Sequence, residues 1–307
     1  MSEGVLVMAY GTPRRPDEVE AYYTDIRRGR PPTPELLADL RSRYDALGGV
    51  SGLYERTVAQ QRAVAAALDR LAPGRFVVEL GQKHAPPFVE DGVRALAARG
   101  VRRAVGLVLA PHYARASVGR YQERAAAAGA EAGVEMVPVE SWHLLAAYLD
   151  FLAAGVRSVL AGLPERTKVL FTAHSLPVRA VAADDPYPGQ LRATASAVAE
   201  RAGLARWAGW STCWQSAGRT GDEWLGPDVL AVIADLAATG RADGVAVCPC
   251  GFVADHLEVR YDLDLQAREA AERAGLAFAR TPSVNDDPAV MAALAEVVLE
   301  AAGGAGR

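Results

Sequence analysis

His174 stands in Ala173-His174-Ser175-Leu176-Pro177, at the end of the run Val169-Leu170-Phe171-Thr172, and its small neighbours leave it accessible. An imidazole so placed can accept a proton near neutral pH or bind a borderline metal through a neutral nitrogen. A histidine bonded to a nearby carbonyl is the plain alternative. A second group lies in Asp255-His256-Leu257-Glu258-Val259-Arg260-Tyr261-Asp262. Helical period sets Glu258 and Asp262 one turn apart on one face, with Gln266 next, a row of oxygens able to pass a hydrated divalent cation along. A solvated helix face has the same spacing. A third group is basic: Arg27-Arg28-Gly29-Arg30, Arg41, Arg43-Tyr44, and then Ser51. Guanidinium matches a carboxylate in two-pronged geometry and the Ser51 hydroxyl can donate beside it, although Arg27 and Arg28 also suit the dipole of a helix C-terminus. Gly48-Gly49 and Gly52 do not form a G-x-G-x-x-G after a strand, which disfavours a nucleotide. His84 and His112 follow apolar runs and read as supporting residues; His143, after Trp142, reads as structural.

The elements that must position these side chains show in a near-repeat. Val5-Leu6-Val7-Met8-Ala9-Tyr10-Gly11-Thr12-Pro13 returns as Val169-Leu170-Phe171-Thr172-Ala173-His174-Ser175-Leu176-Pro177. Each copy reads as a buried parallel strand followed by the loop at its carboxyl end, where open α/β sheets hold ligands. Tyr10 and His174 are then equivalent residues of two halves, able to face one cleft. Further strands are expected at Phe76 to Leu80, Ala104 to Ala110 and Glu135 to Val139, and after the restart at Lys168 to Thr172, Trp207 to Ser211 and Gly244 to Cys248. Between them run segments of helical period, such as the one that Thr33 can cap, with Pro34 in its first turn and Gly48-Gly49 at its end. Val108-Leu109-Ala110-Pro111 echoes Val247-Cys248-Pro249, and Pro87 to Val93 echoes Trp224 to Val229. The rhythm predicts an α/β protein of two similar halves, each a parallel sheet flanked by helices. The first domain spans residues 1–142 and the second 143–286, opening on a linking helix from about His143 to Ala161; residues 287–307 form a helix packing back on the first domain.

A chain of 307 residues, half of them apolar, can bury two ordinary cores. Its net charge of −4 argues against a general nucleic-acid binder. No apolar stretch is long enough to span a bilayer and Met1-Ser2-Glu3 does not open a signal peptide, so a cytoplasmic protein is expected. With no legible apolar interface, so is a monomer. Cys213, Cys248 and Cys250 make no disulfide framework and are one short of a four-sulfur iron site; buried thiols are expected.

Taken together these stretches resemble the ferrochelatase family, and within it the coproporphyrin ferrochelatases of Gram-positive bacteria. The resemblance runs over nearly the whole chain, through Met8 to Pro13, Tyr22 to Arg30, Gly81-Gln82-Lys83-His84, Leu109 to Tyr113, Ala173 to Pro177, Trp214 to Gly218, Trp224 to Val229 and Gly251 to Glu258. It implies a chelatase fold of two Rossmann-like halves that inserts Fe2+ into a bound porphyrin. On that likeness His174 and Glu258 serve the metal and the catalysis, while Tyr10, Arg27, Arg43, Tyr44, Ser51 and Tyr121 line the porphyrin or hold its propionates. Coproporphyrin III, with four propionates, suits the arginine-rich site better than protoporphyrin IX; a chelatase for another metal, or a tetrapyrrole carrier without turnover, are the alternatives. Transient partners in haem synthesis would follow. Two departures matter. Gln266 stands where relatives often have an acid, and the chain carries no cysteine-bearing C-terminal extension, so no iron–sulfur cluster and no cofactor beyond substrate Fe2+ are expected.

Overall fold

The two copies of the repeat become central strands of two separate sheets in the computed structural model, which describes residues 2–205, 209–218 and 221–303. In the first, β1 (Glu3–Ala9) lies between β2 (Phe76–Gln82) and β3 (Arg103–Val108), with β4 (Glu135–Val139) at the edge, in the order β2-β1-β3-β4. In the second, β5 (Thr167–His174) lies between β6 (Trp210–Gln215) and β7 (Gly244–Cys248), with β8 (Ala277–Arg280) outside, in the order β6-β5-β7-β8. All pairings are parallel and the two orders are the same. Val5, Leu6, Val7 and Met8 are all fully buried, as a strand covered on both faces requires.

Strand ends differ from the sequence reading in ways that hydrogen bonds explain. β3 stops at Val108: Leu109 N donates to Met8 O at 2.8 Å, and Pro111, lacking an N–H, turns the chain away. β6 begins at Trp210 and continues through polar residues, because Thr172 Oγ1 donates to Gln215 Oε1 at 2.6 Å inside the sheet; Trp207 lies outside the described residues. β8 is a four-residue edge strand that the apolar pattern did not mark.

Between β1 and β2 run α1 (Val19–Ile26), α2 (Pro34–Ala46) and α3 (Leu53–Leu71). Thr33 caps α2, accepting from Leu36 N at 3.4 Å, and Pro34 occupies its first turn. Then come α4 (Val89–Ala98) and, after a π-helical turn at Arg115–Gly119, α5 (Arg120–Ala132). The linking helix α6 covers Ala146–Leu160, so His143 precedes it. The second half carries α7 (Tyr187–Ala202), α8 (Val229–Ala238), α9 (Leu257–Arg260), a π-helical turn at Asp262–Ala267 and α10 (Arg268–Arg273). Last, α11 (Pro288–Gly303) packs against α3, and Arg103 Nη1 donates to Ala302 O at 2.8 Å.

One apolar core runs through both halves, from Val5, Val7 and Val64 through Tyr148 and Phe171 to Leu294 and Val298. At about 2 kcal/mol for each such side chain buried, it outweighs any surface pair in holding the halves together. Each sheet has its own core on the other face, around Leu6 and Met8 or around Leu170 and Val247. The repeat extends beyond the central strands: Gln82 N donates to Pro87 O at 2.7 Å, and Trp214 N to Pro227 O at 2.9 Å. What breaks the symmetry among the described residues is α1 and α2, which have no counterpart in the second half. Their small core of Val19, Leu37 and Tyr44 packs against Leu257 of α9, forming a hood over the strand ends.

Candidate functional site

The carboxyl ends of β1 and β5 open into one cleft beneath that hood. Two glycines shape its floor. Gly11 has φ +92°, and a side chain there would meet Ala85 N at 2.9 Å, so the chain can turn away directly after Tyr10. At Gly251 a Cβ would lie 2.4 Å from that of Ala173, so the loop after β7 packs flush on the strand that ends in His174.

His174 Nδ1 and Glu258 Oε2 are 3.0 Å apart, and His256 Nε2 stands 3.7 Å from the same oxygen. The partners are fixed from behind. Tyr187 Oη donates to His174 O at 2.9 Å; Gln215 Nε2 donates to Glu258 O at 2.9 Å; His256 Nδ1 is 3.0 Å from Ala254 O. Burial alone would lower the His174 pKa, but Glu258, helped by Asp262, more than reverses this and holds it above the ordinary value. Burial pushes Glu258 the other way, and His174 and His256 overcome it, so its pKa lies far below the carboxylate range. Glu258 is therefore a carboxylate at neutral pH, and its charge favours the protonated form of His174. Asp262 is pushed up to about 6, by burial and by the Glu258 charge, and accepts from Ser216 Oγ at 2.5 Å. Such a set has a hard oxygen ligand, a borderline nitrogen ligand and a second carboxyl near its switching point, the chemistry for moving a divalent cation and protons.

Tyr10, Tyr22, Tyr44 and Tyr121 give the cleft an aromatic lining. Enclosure, and then the Glu258 charge, hold the Tyr10 phenol above its ordinary pKa, and burial pushes Tyr44 up to about 12, so both are neutral. Ser51 is buried, with its hydroxyl 3.2 Å from that of Thr12. Arg43 reaches Asp39 at 3.1 Å and lies over the Tyr261 ring at 5.5 Å, while its Nε–H is buried with no partner among the described residues. A donor left unpaired at a cleft wall costs free energy until an acceptor binds.

The structure thus brings His174, Glu258, Tyr10, Arg43, Tyr44, Ser51 and Tyr121 to one cleft. Arg27 is not in its wall: the guanidinium donates to Arg30 O at 3.3 Å and lies 5.8 Å from the ring of Tyr23, which is. Gln266 is not among the residues lining the cleft, and its N–H bonds to Tyr261 O at 3.0 Å across a π-helical turn.

A family model described as ferrochelatase matches residues 2–302. The chain belongs to the ferrochelatase family. The coproporphyrin III ferrochelatase of Geobacillus kaustophilus is 42% identical to it, over 97% of this chain and 95% of the relative. A ferrochelatase of Herpetosiphon aurantiacus is 41% identical, over 96% of this chain and 97% of the relative. Among solved structures, SirB from Bacillus subtilis with Fe3+ superposes with a TM-score of 0.57 at 12% identity, covering 99% of this chain and 97% of that one, a likeness of fold.

In this ferrochelatase several cleft residues carried no assignment from sequence. His256 sat inside the quoted motif, one residue before the helix, and its distance to Glu258 depends on the extended backbone at that position. Gln215 ends β6, Ser216 follows it and Thr12 follows Gly11; polar residues at strand ends were the signal available for them.

Proposed function

We propose that the chain inserts Fe2+ into coproporphyrin III, with His174 and Glu258 receiving the metal and His174 taking up protons from the ring nitrogens. The observation that carries this is the His174–Glu258 contact of 3.0 Å at the cleft floor. Two ring N–H protons must leave as Fe2+ enters, so a base has to face the ring centre. His174 holds its proton because Glu258 is charged. Fe2+ arriving at Glu258 takes over that charge, the imidazolium loses its stabilisation, and the proton leaves for water. The neutral imidazole then accepts a proton from a pyrrole nitrogen while Asp262, near its own switching point, passes the second outward. Glu258 and the neutral His174 nitrogen replace waters of the metal in turn, and His174 becomes free to accept a ring proton as a ring nitrogen displaces it from the metal.

Tyr10, Tyr44 and Tyr121 form the flat apolar walls; the unpaired Nε–H of Arg43 and the Ser51 hydroxyl suit propionates, and Arg27, above Tyr23, suits one reaching past the rim. The relatives named for coproporphyrin III support the choice of ring. We also propose that the protein acts as a monomer in the cytoplasm, contacts other proteins only transiently, and needs no iron–sulfur cluster. Supporting the last, Cys213, Cys248 and Cys250 are free and buried, and burial raises all three thiols, Cys248 to about 12. Stoichiometric labile sulfide in purified protein would overturn it.

The test is anaerobic Fe2+ insertion with coproporphyrin III and protoporphyrin IX in competition, in the wild type and in His174→Ala. The wild type is expected to metallate coproporphyrin III faster, and His174→Ala to bind the ring without metallating it. Preference for protoporphyrin overturns the substrate, and turnover in the variant removes His174 from the mechanism.

A further inference from the structure

Lys83, in the Gly81-Gln82-Lys83-His84 stretch, has no task in the chemistry above. It is the first residue beyond β2, and its backbone is fixed at both ends: Lys83 N donates to Ala9 O at 2.9 Å, and Arg124 Nη1 donates to Lys83 O at 2.6 Å. Its ammonium lies 5.1 Å from the centre of the Tyr121 ring, and that ring, 4% exposed, lines the cleft. The acids in this region are taken. Glu90 binds Arg124 through two bonds of 2.7 Å; Glu123 binds Arg120 at 2.6 Å; Asp25 is 2.7 Å from His84 Nδ1. Among the described residues Lys83 has no carboxylate partner. Burial, and then Arg124, Arg120 and Arg28, push its pKa down to about 8. A half-buried ammonium among like charges is costly until an anion joins it, and the aromatic face offsets only part of that cost.

Position identifies the anion. The His84 ring packs edge-on against Tyr10 at 4.7 Å, which sets its neighbour Lys83 on the β2 side of Tyr10. Arg43, Tyr44 and Ser51 belong to α2 and the turn after it, on the side where Ser51 meets Thr12. Arg43 lies in the cleft wall on one side of Tyr10, whereas Lys83 stands outside the wall next to Tyr121, within reach of a carboxylate that extends past that ring. A ring with carboxylates on one edge uses only one of these two cations.

We propose that Lys83 binds a carboxylate of the tetrapyrrole on the edge away from Arg43 and Ser51, and so selects a ring carrying carboxylates on more than one edge. This rests on the reading of the cleft as a coproporphyrin site. Mesoporphyrin IX is the matching probe, because it carries ethyl groups where coproporphyrin III carries its two additional propionates. Fe2+ insertion into both rings is measured in the wild type, Lys83→Met and Lys83→Arg, with direct binding of each metal-free ring by fluorescence. In Lys83→Met the coproporphyrin-to-mesoporphyrin ratio of kcat/KM is expected to fall about tenfold, through KM and matched by Kd, with Lys83→Arg recovering most of it. If the wild type handles mesoporphyrin better, the substrate reading and the role of Lys83 fall together. If the wild type prefers coproporphyrin and Lys83→Met keeps that preference, the role of Lys83 alone is overturned. Should Lys83→Met fold poorly, Lys83→Gln serves for the binding measurement, and an unchanged Kd ratio there is equally decisive.

Discussion

In Glu258→Gln the His174 imidazole loses the carboxylate that offsets its burial, so its pKa falls below 6.5 and the ring is neutral at pH 7. The sign of the pH dependence follows. In the wild type the folded pKa is raised, so the stabilising proton is fully present below pH 6.5 and is lost as pH rises through the raised value. In the variant the folded pKa is depressed, and stability is instead lost as pH falls through 6.5. Thermal melts from pH 5.5 to 8.5 should therefore slope in opposite senses around His174, and an imidazole NMR titration should assign the change. Metallation should fall by at least about 100-fold, the scale of a lost acid–base and metal group, while porphyrin still binds. Turnover within a few-fold of the wild type would remove Glu258 from the reaction. His174 and Glu258 were legible because each sits in a stretch whose backbone the sequence already marks, a strand end and a helix start. His256 and Gln215 were not, since their bearing on Glu258 comes from side chains meeting across elements 40 or so residues apart in the case of Gln215, at 2.9 Å from Glu258 O.

Arg280, on the short strand β8, ties down both ends of the segment that carries Glu258 and Asp262. Its guanidinium grips Asp264 in the π-helical turn at 2.6 and 2.9 Å and reaches Asp255, ahead of α9, at 3.2 Å. Asp255 also accepts from Ser283 Oγ at 2.8 Å and Asn285 Nδ2 at 3.1 Å. The arginine side chain is 14% exposed, so removing it leaves two carboxylates facing each other in a sparsely solvated place. Arg280→Met should cost about 3 kcal/mol in chemical denaturation and raise KM for Fe2+ more than KM for porphyrin. Equal changes in both constants would mean that the brace serves the fold alone. The sequence announced the helix after β7 but not its π-helical turn. One extra residue in a turn leaves positions four apart nearly in line, as buried Val259, Leu263 and Ala267 show, so the apolar stripe does not reveal it. Strand β8 was obscured for a related reason, because at an edge Ala277 to Arg280 need only be half-buried.

The two halves were legible as a repeat because equivalent strands bury the same apolar pattern, whereas the bonds that join them follow no pattern along the chain. From the second half, α7 and the turn before it hold the loop after β3: Asp185 accepts from Arg115 N at 3.0 Å, Gln190 from Tyr113 N at 2.7 Å, and Thr194 Oγ1 lies 2.8 Å from His112 Nε2. Thr194 donates onward to His143 O at 3.2 Å, so His112 carries its proton on Nε2, and its Nδ1 is buried without a partner among the described residues. Burial, and then His143, push the His112 pKa down to about 3. Because the unfolded chain takes up that proton near pH 6.5 and the folded chain does not, the junction loses stability as pH falls from 6.5 towards 3. At pH 5 the loss from this one residue is about 2 kcal/mol. His112→Gln can keep a donor towards Thr194 and cannot titrate. Denaturant midpoints of wild type and variant should therefore converge as pH is lowered from 7.5 to 5, with the variant the less stable at pH 7.5 because its amide fits the buried site less well. Parallel midpoint curves over that range would show that His112 does not set the acid limit of the junction between the halves.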